Sequence, residues 1–300
     1  MEPPKEQETA APRRIRRRTL AMIGAGLAVA ALAGGLAWFG RGGGSACVTG
    51  IVWQPDRATI DPHGDWQKLG ADTLLIQWSV IDGEALLPVP GVPWFQPQPN
   101  WTRIAAEPWA KTVVLGLAGD FSEAASRRDV AQLAALSAEV AAKIAAQPVP
   151  LYVKGYYFPA EVDPTWVEAP KLAALLAPLP RPLWISVYDG RNIGPVALAD
   201  WLESWLPKDI GVFFQDGVGV YARTPKVAAH YADVLSARLG AARFALIVEA
   251  FRPKVGGGFR AATPQELKPQ IAAYGDYPRF LFDGPHYVSS ELVAALDCRR

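Results

Sequence analysis

The chain has 300 residues, half of them hydrophobic, with 11 Trp and a formal net charge of +1. That length suits one barrel-sized domain of about 250 residues with an N-terminal appendage. A net charge so near zero gives no whole-domain field for an acidic polymer, which sets nucleic-acid binding aside.

Residues 1–18 are polar, Pro-containing and basic, and read as a disordered cytoplasmic tail ending in Arg13-Arg14-Ile15-Arg16-Arg17-Arg18. The next 21 residues, Thr19 to Phe39, carry no charge, and a bilayer core needs about 20. Basic residues ahead of an apolar span hold the N-terminus in the cytoplasm. The reading is a single-pass signal anchor over 19–39 in a bacterial inner membrane, with the chain beyond Arg41 in the periplasm. Two other processing routes compete: a signal peptide cleaved at Gly44-Ser45-Ala46, which would export the domain, and a lipoprotein at Cys47. Arg17-Arg18-Thr19-Leu20 also has features of a twin-arginine signal. Residues 40–46 form a Gly-rich linker, and 47–300 the folded domain.

Apolar, β-branched and aromatic runs then predict eight strands, over Val48–Trp53, Thr73–Ile81, Thr112–Leu117, Leu151–Phe158, Leu183–Tyr188, Gly211–Phe214, Phe244–Val248 and Arg279–Phe282. Helical patterns fall between them, the clearest over Arg128–Ala146, with others at Lys171–Leu176, Val196–Trp205, Pro225–Leu239, Pro264–Tyr274 and Ser289–Leu296. Thr224-Pro225 and Thr263-Pro264 read as N-cap followed by Pro at N1, and Asp129 stands near another start. Alternating strands and helices imply a parallel sheet, and eight strands imply closure into an α/β (β/α)8 TIM barrel. A doubly wound open sheet is the competing fold, but no phosphate-binding Gly-rich loop supports it. Cys47 precedes the first strand and Cys298 sits in the last few residues, past the last helix, so barrel closure brings them together on the bottom face. An oxidising compartment permits a disulfide there; two buried thiols are the alternative.

Seven carboxylates fall at or just past strand ends: Asp82, Asp120, Glu161, Asp189, Asp216, Glu249 and Asp283. In this fold the strand C-termini share one mouth, where active sites are built. Four of the acids precede Gly, which also reads as a plain turn. Glu161 and Glu249 do not. A Glu closing the apolar strand Leu246-Ile247-Val248 is costly to bury without a partner or a purpose; Arg252 is the candidate partner. Glycoside hydrolysis needs one protonated carboxyl and a second carboxylate as nucleophile or base. An acid near strand four and a Glu at strand seven resemble the arrangement in the large retaining clan of barrel glycosidases. The expected catalytic set is Glu161 and Glu249, with Asp216 in reserve for either role. Aromatic, amide and polar neighbours form the expected sugar-binding set: Trp53, Gln77, Trp78, Tyr157, Tyr188, Asp189, Gln215, Phe251, Arg252, Asp283, His286 and Tyr287. The Pro-rich stretch from Leu86 to Trp101 is too long for a simple connector, and is expected to fold over the mouth with Trp94, Phe95 and Trp101 as stacking platforms or as a local cluster. Three His and no H-E-x-x-H argue against a zinc site, and no G-x-S-x-G argues for a serine hydrolase. No metal or cofactor is expected.

Leu69-Gly70-Ala71-Asp72-Thr73-Leu74-Leu75-Ile76-Gln77-Trp78, Gly155-Tyr156-Tyr157-Phe158-Pro159-Ala160-Glu161 and Phe213-Phe214-Gln215-Asp216-Gly217-Val218-Gly219-Val220 resemble the bacterial DUF4434 family over roughly residues 48–290. The resemblance implies a glycoside-hydrolase-like barrel with a site around Gln77, Trp78, Tyr157, Glu161, Gln215 and Asp216. Together these readings lead to two expectations. One is a membrane-anchored periplasmic glycoside hydrolase on a bacterial polysaccharide or oligosaccharide. The other is a non-catalytic glycan-binding barrel serving polysaccharide synthesis or export machinery.

Overall fold

The computed structural model describes residues 47–147, 149–296 and 298. Eight parallel strands close a barrel: β1 (Gly50–Trp53), β2 (Thr73–Ile76), β3 (Thr112–Gly116), β4 (Val153–Val162), β5 (Leu183–Val187), β6 (Ile210–Gln215), β7 (Phe244–Glu249) and β8 (Arg279–Phe282). Each pairs with the next, and β8 returns to β1, so the open-sheet alternative falls away. Around it lie α1 (Trp101–Ala106), α2 (Glu123–Arg128), α3 (Val130–Ala145), α4 (Leu172–Leu175), α5 (Pro195–Glu203), α6 (Pro225–Leu239), α7 (Pro264–Ala272), α8 (Gly284–Tyr287) and α9 (Ser290–Leu296).

The helix starts follow the caps in the sequence. Thr224 Oγ1 accepts from Val227 N at the head of α6, and Thr263 and Glu266 form a reciprocal capping box on α7. Asp129 instead sits at the junction of α2 and α3 and makes no side-chain cap. The coat is uneven. Between β1 and β3, two 3-10 turns, Trp66–Leu69 and Pro108–Ala110, and the short α1 stand where longer helices are usual. Trp66 and Trp109 are fully buried there with ring centroids 4.7 Å apart, and Trp66 Nε1 donates to Val288 O at 2.8 Å. Two indoles thus supply the apolar bulk that a helix face would give.

Along each strand alternate residues face the coat or the lumen. Ile51, Leu74, Leu115, Ile185, Val212, Phe214, Leu246, Val248 and Leu281 join the helices in one apolar core. The opposite set fills the barrel. Trp184, Phe213 and Phe280 form a chain of rings, with centroids 4.8 and 5.1 Å apart. They fit because two lumen positions have no side chain. A Cβ on Gly50 would lie 2.4 Å from the Phe280 ring, and one on Gly211 would lie 2.4 Å from the Trp184 ring. Thr73 Oγ1 donates to Asp72 Oδ1 at 2.9 Å and lies 2.7 Å from Thr112 Oγ1, from which it can accept. The barrel is therefore plugged at mid-height, and only its upper end is open to chemistry.

Cys47 and Cys298 form the disulfide, with Cα atoms 5.5 Å apart. Among the described residues no helix is long and apolar enough to cross a membrane; the anchor expected over 19–39 lies outside them, as do the tail and linker. Since the bridge spans 251 residues, the chain-entropy model gives it roughly 5.5 kcal/mol, less any strain. Replacing Cys47 and Cys298 by Ser should lower the thermal midpoint by on the order of 10 °C. An unchanged midpoint by differential scanning calorimetry would mean that the link constrains nothing.

Candidate functional site

Above the aromatic plug the inward positions turn polar. Gln54 follows β1, Gln77 follows β2, Ser186 lies in β5 and Gln215 ends β6. With Glu161 and Asp120 they surround a cavity of about 240 Å³. Val52, Leu75, Ile247 and Phe282 give it an apolar lining, Tyr157 donates to Ser186 Oγ at 2.8 Å, and Trp78, Phe121 and Pro159 complete the wall.

Glu161 owes its place to an irregularity in β4. Phe158 pairs with Ile185, but Ser186 pairs with Glu161, so Pro159 and Ala160 bulge out of the ladder. Two extra residues preserve the inward facing of Glu161. They also set it level with Ser186, about 6–7 Å lower than a regular strand would. Pro159 has no N–H to lose at such a position. The sequence reading ended this strand at Phe158; the strand runs on to Val162 and carries Glu161 within it.

Two side chains hold the carboxyl. Gln215 Nε2 donates to Glu161 Oε2. Arg127 donates to the Glu161 carbonyl from Nε at 3.3 Å and Nη2 at 3.1 Å, and its Nη2 is 3.9 Å from Glu161 Oε1. Arg127 is itself paired with Glu123 and lies 5.6 Å over the Trp166 ring. Burial, reinforced by the charge of Glu123, pushes Glu161 up to about 7 against the pull of Gln215 and Arg127. Asp120 is also raised, by burial and by the charge of Asp82. Gln77 Oε1 is buried on this cavity with no hydrogen-bond partner among the described residues.

Of the expected residues, Gln77, Trp78, Tyr157, Glu161 and Gln215 line the cavity. Trp78 is almost wholly buried, donates to Pro55 O at 3.2 Å and backs the exposed Phe121 ring edge-on at 5.1 Å. Sequence reasoning missed Gln54, Phe121 and Ser186, and gave Asp120 no site role.

The other expected catalytic carboxylates turn elsewhere. Asp216 is fully buried and accepts from Tyr274 Oη (2.7 Å), Gln270 Nε2 (2.6 Å), Val218 N (3.1 Å) and Glu249 N (3.3 Å). Burial still raises its pKa against those four donors. Glu249 accepts from Val220 N at 3.2 Å beneath the loop after β6 and does not line the cavity. Burial and the neighbouring Asp216 push it up. Arg252 does not pair with the Glu249 carboxylate; it donates to the carbonyls of Glu249 and Phe251 and to Gln270 Oε1. These two acids thus belong to a lock between β6, β7 and α7.

Asp189 is likewise structural, accepting from Tyr231 Oη at 2.7 Å and from the backbone of Ile193 and Gly194. The half-buried Tyr188 lies under Arg223, whose guanidinium is also shared with Phe214, Tyr231 and Asn192. Trp53 is fully buried on the coat side of β1, donating to Thr59 O. Phe251 and Tyr287 pack on each other at 5.3 Å, off the cavity. The Leu86–Trp101 stretch forms the local cluster: Phe95 and Trp101 pack with Ile60, Trp78, Ile81 and Leu86, while Trp94 is 46% exposed and lines no part of the cavity. Among the described residues no three His, Cys, Asp or Glu gather as metal ligands.

No family model and no curated protein matches the chain. Among solved structures it is similar to a Bacteroides thetaiotaomicron protein described as "a putative alpha-L-fucosidase". The TM-score is 0.56 at 15% identity, over 84% of this chain and 92% of that one. Identity this low speaks for a shared barrel fold alone.

One expected binding residue is a clamp instead. Asp283 Oδ2 accepts from Gln54 N at 3.0 Å and lies 2.9 Å from His286 Nδ1, while Asp56 is 3.1 Å from His286 Nε2. The hydrogen bond to Asp283, with the charge of both acids, raises His286 to about 9. A raised histidine pKa stabilises the fold fully below about 6.5, its unfolded value, and loses that contribution as pH climbs through about 9. The stability difference between wild type and His286→Gln should therefore be largest at pH 6 and shrink towards pH 9.5 in urea titrations. A difference independent of pH would remove the charged clamp.

Proposed function

We propose that this protein is a glycoside hydrolase of the DUF4434 kind, acting on a bacterial polysaccharide or oligosaccharide, with Glu161 as general acid. The observation that carries this is a cavity-lining carboxyl on a bulged strand, held by Gln215 and Arg127 and raised to about 7. A group titrating there is protonated often enough near neutrality to give its proton to a leaving glycosidic oxygen. Asp120 lines the same cavity and is the second carboxylate, acting as nucleophile or as base for water. A separation of about 5 Å suits the first role and about 6.5–9.5 Å the second. The similar barrel of a protein described as a fucosidase supports sugar chemistry on this framework. Anchoring through 19–39 in an inner membrane, with the barrel in the periplasm, is part of the proposal. It draws support from the Arg-rich run before an uncharged span and from a disulfide that suits an oxidising compartment.

A second reading is a glycan-binding barrel that cleaves nothing and serves a synthesis or export machine. It is favoured by the capture of Asp216 and Glu249 by backbone and α7 donors, away from the cavity.

The test is release of sugar from a panel of bacterial exopolysaccharides and cell-wall glycans by the full chain, read by mass spectrometry. Glu161→Gln should cost at least about 100-fold in turnover. Wild-type rate should fall as pH rises through about 7, where Glu161 loses its proton. Turnover unchanged in Glu161→Gln would reject Glu161 as the acid. Glycan binding by both proteins without any cleavage would establish the second reading.

A further inference from the structure

The cavity's chemistry is one-sided. Asp120, Glu123 and Glu161 line it, and no Lys or Arg does. The nearest cation of the wall, Arg127, stands behind Glu161 and is engaged by the Glu161 carbonyl, the Glu123 carboxylate and the Trp166 ring. Arg128 is mostly exposed and paired with Asp129. An anionic group entering here would exchange its water for a wall of like charge. The amide wall leans the same way. Gln215 already spends an N–H on Glu161, and the carboxylates of the wall are acceptors to which sugar hydroxyls can donate.

Size and shape add to this. A cavity of about 240 Å³ lies below the roughly 300–1,000 Å³ of pockets for drug-sized ligands. Phe121 is 46% exposed, with Trp78 set edge-to-face against it at 5.1 Å. A braced ring beside a polar pocket suits the apolar face of a pyranose, with the hydroxyl edges turned to the amides.

We propose that the cavity receives a single sugar ring without negative charge, stacked on Phe121, and that it excludes uronic and other acidic sugars. This rests on the carbohydrate reading above and narrows its substrate class to neutral or amino sugars.

The experiment uses matched pairs that differ only at C6: methyl glucoside against methyl glucuronide, and methyl galactoside against methyl galacturonide. Binding to the full chain is followed by saturation-transfer NMR and titration. The uncharged member of at least one pair should bind at least roughly tenfold more tightly than its acid. Phe121→Ala should weaken the uncharged ring severalfold, and Asp120→Asn should narrow the gap between the two members. Phe121 is a surface side chain, so its loss leaves the barrel intact, which circular dichroism verifies. Equal or tighter binding of the acidic members would overturn the charge rule while leaving the carbohydrate reading standing. Uncharged binding unaffected by Phe121→Ala would overturn the stacking. No binding of either class, with no product from any glycan in the panel above, would overturn both proposals.

Discussion

The structure depends on how its barrel is filled. Trp184, Phe213 and Phe280 occupy the lumen at mid-height, and they do so only because Gly50 and Gly211 leave their rings room. A lumen packed to interior density cannot conduct or hold a ligand through its length. The plug therefore acts as a floor. Gln54, Gln77, Glu161, Ser186 and Gln215 meet above it around one cavity, over an apolar base that strengthens their electrostatics. The raised pKa of Glu161 follows directly from that burial.

On this floor two polar systems of similar composition do opposite things. One is closed: Asp216, Gln270, Tyr274, Arg252 and the backbone of Glu249 satisfy each other. Such a network, with its donors and acceptors matched, fixes helix α7 against the sheet. The other is open: among the described residues the Glu161 carboxyl has one amide and one cation, and Asp120 has a single long hydrogen bond from Ser126 at 3.5 Å. The distinction between scaffold and site is thus one of unmet hydrogen-bonding capacity, more than of residue type.

That distinction explains what the sequence could convey. Strand order, the parallel barrel, the caps at Thr224 and Thr263 and the pairing of Cys47 with Cys298 rest on local periodicity or on chain ends, and could be read directly. Gln77 and Gln215 stand at strand ends, whereas Tyr157 and Glu161 lie within β4; all four line the cavity. The fate of the remaining acids could not be read, because it is set by distant partners. Asp216 is satisfied by residues 54 and 58 positions away, and Asp189 by one 42 positions away. The depth of Glu161 depends on a bulge whose only local sign is Pro159, which reads equally well as a strand end. Phe121 escaped because one aromatic residue in a turn carries no signal of exposure, while Trp53 and Trp101 drew notice and proved to be packing.

The disulfide has a consequence for the topology of the chain. The seam between β1 and β8 is the thinnest in the barrel, with two register pairs where β1 and β2 share four. Cys47 and Cys298 close it from below, holding the two ends of the domain 5.5 Å apart at their Cα atoms. A polypeptide whose ends are that near is in effect a ring. A few residues joining them would replace the sulfur link, and the circle could be reopened at the exposed tip around Gly256-Gly257-Gly258, none of which lines the cavity. The order in which the eight strands are synthesised is, for this barrel, separable from the shape that they make.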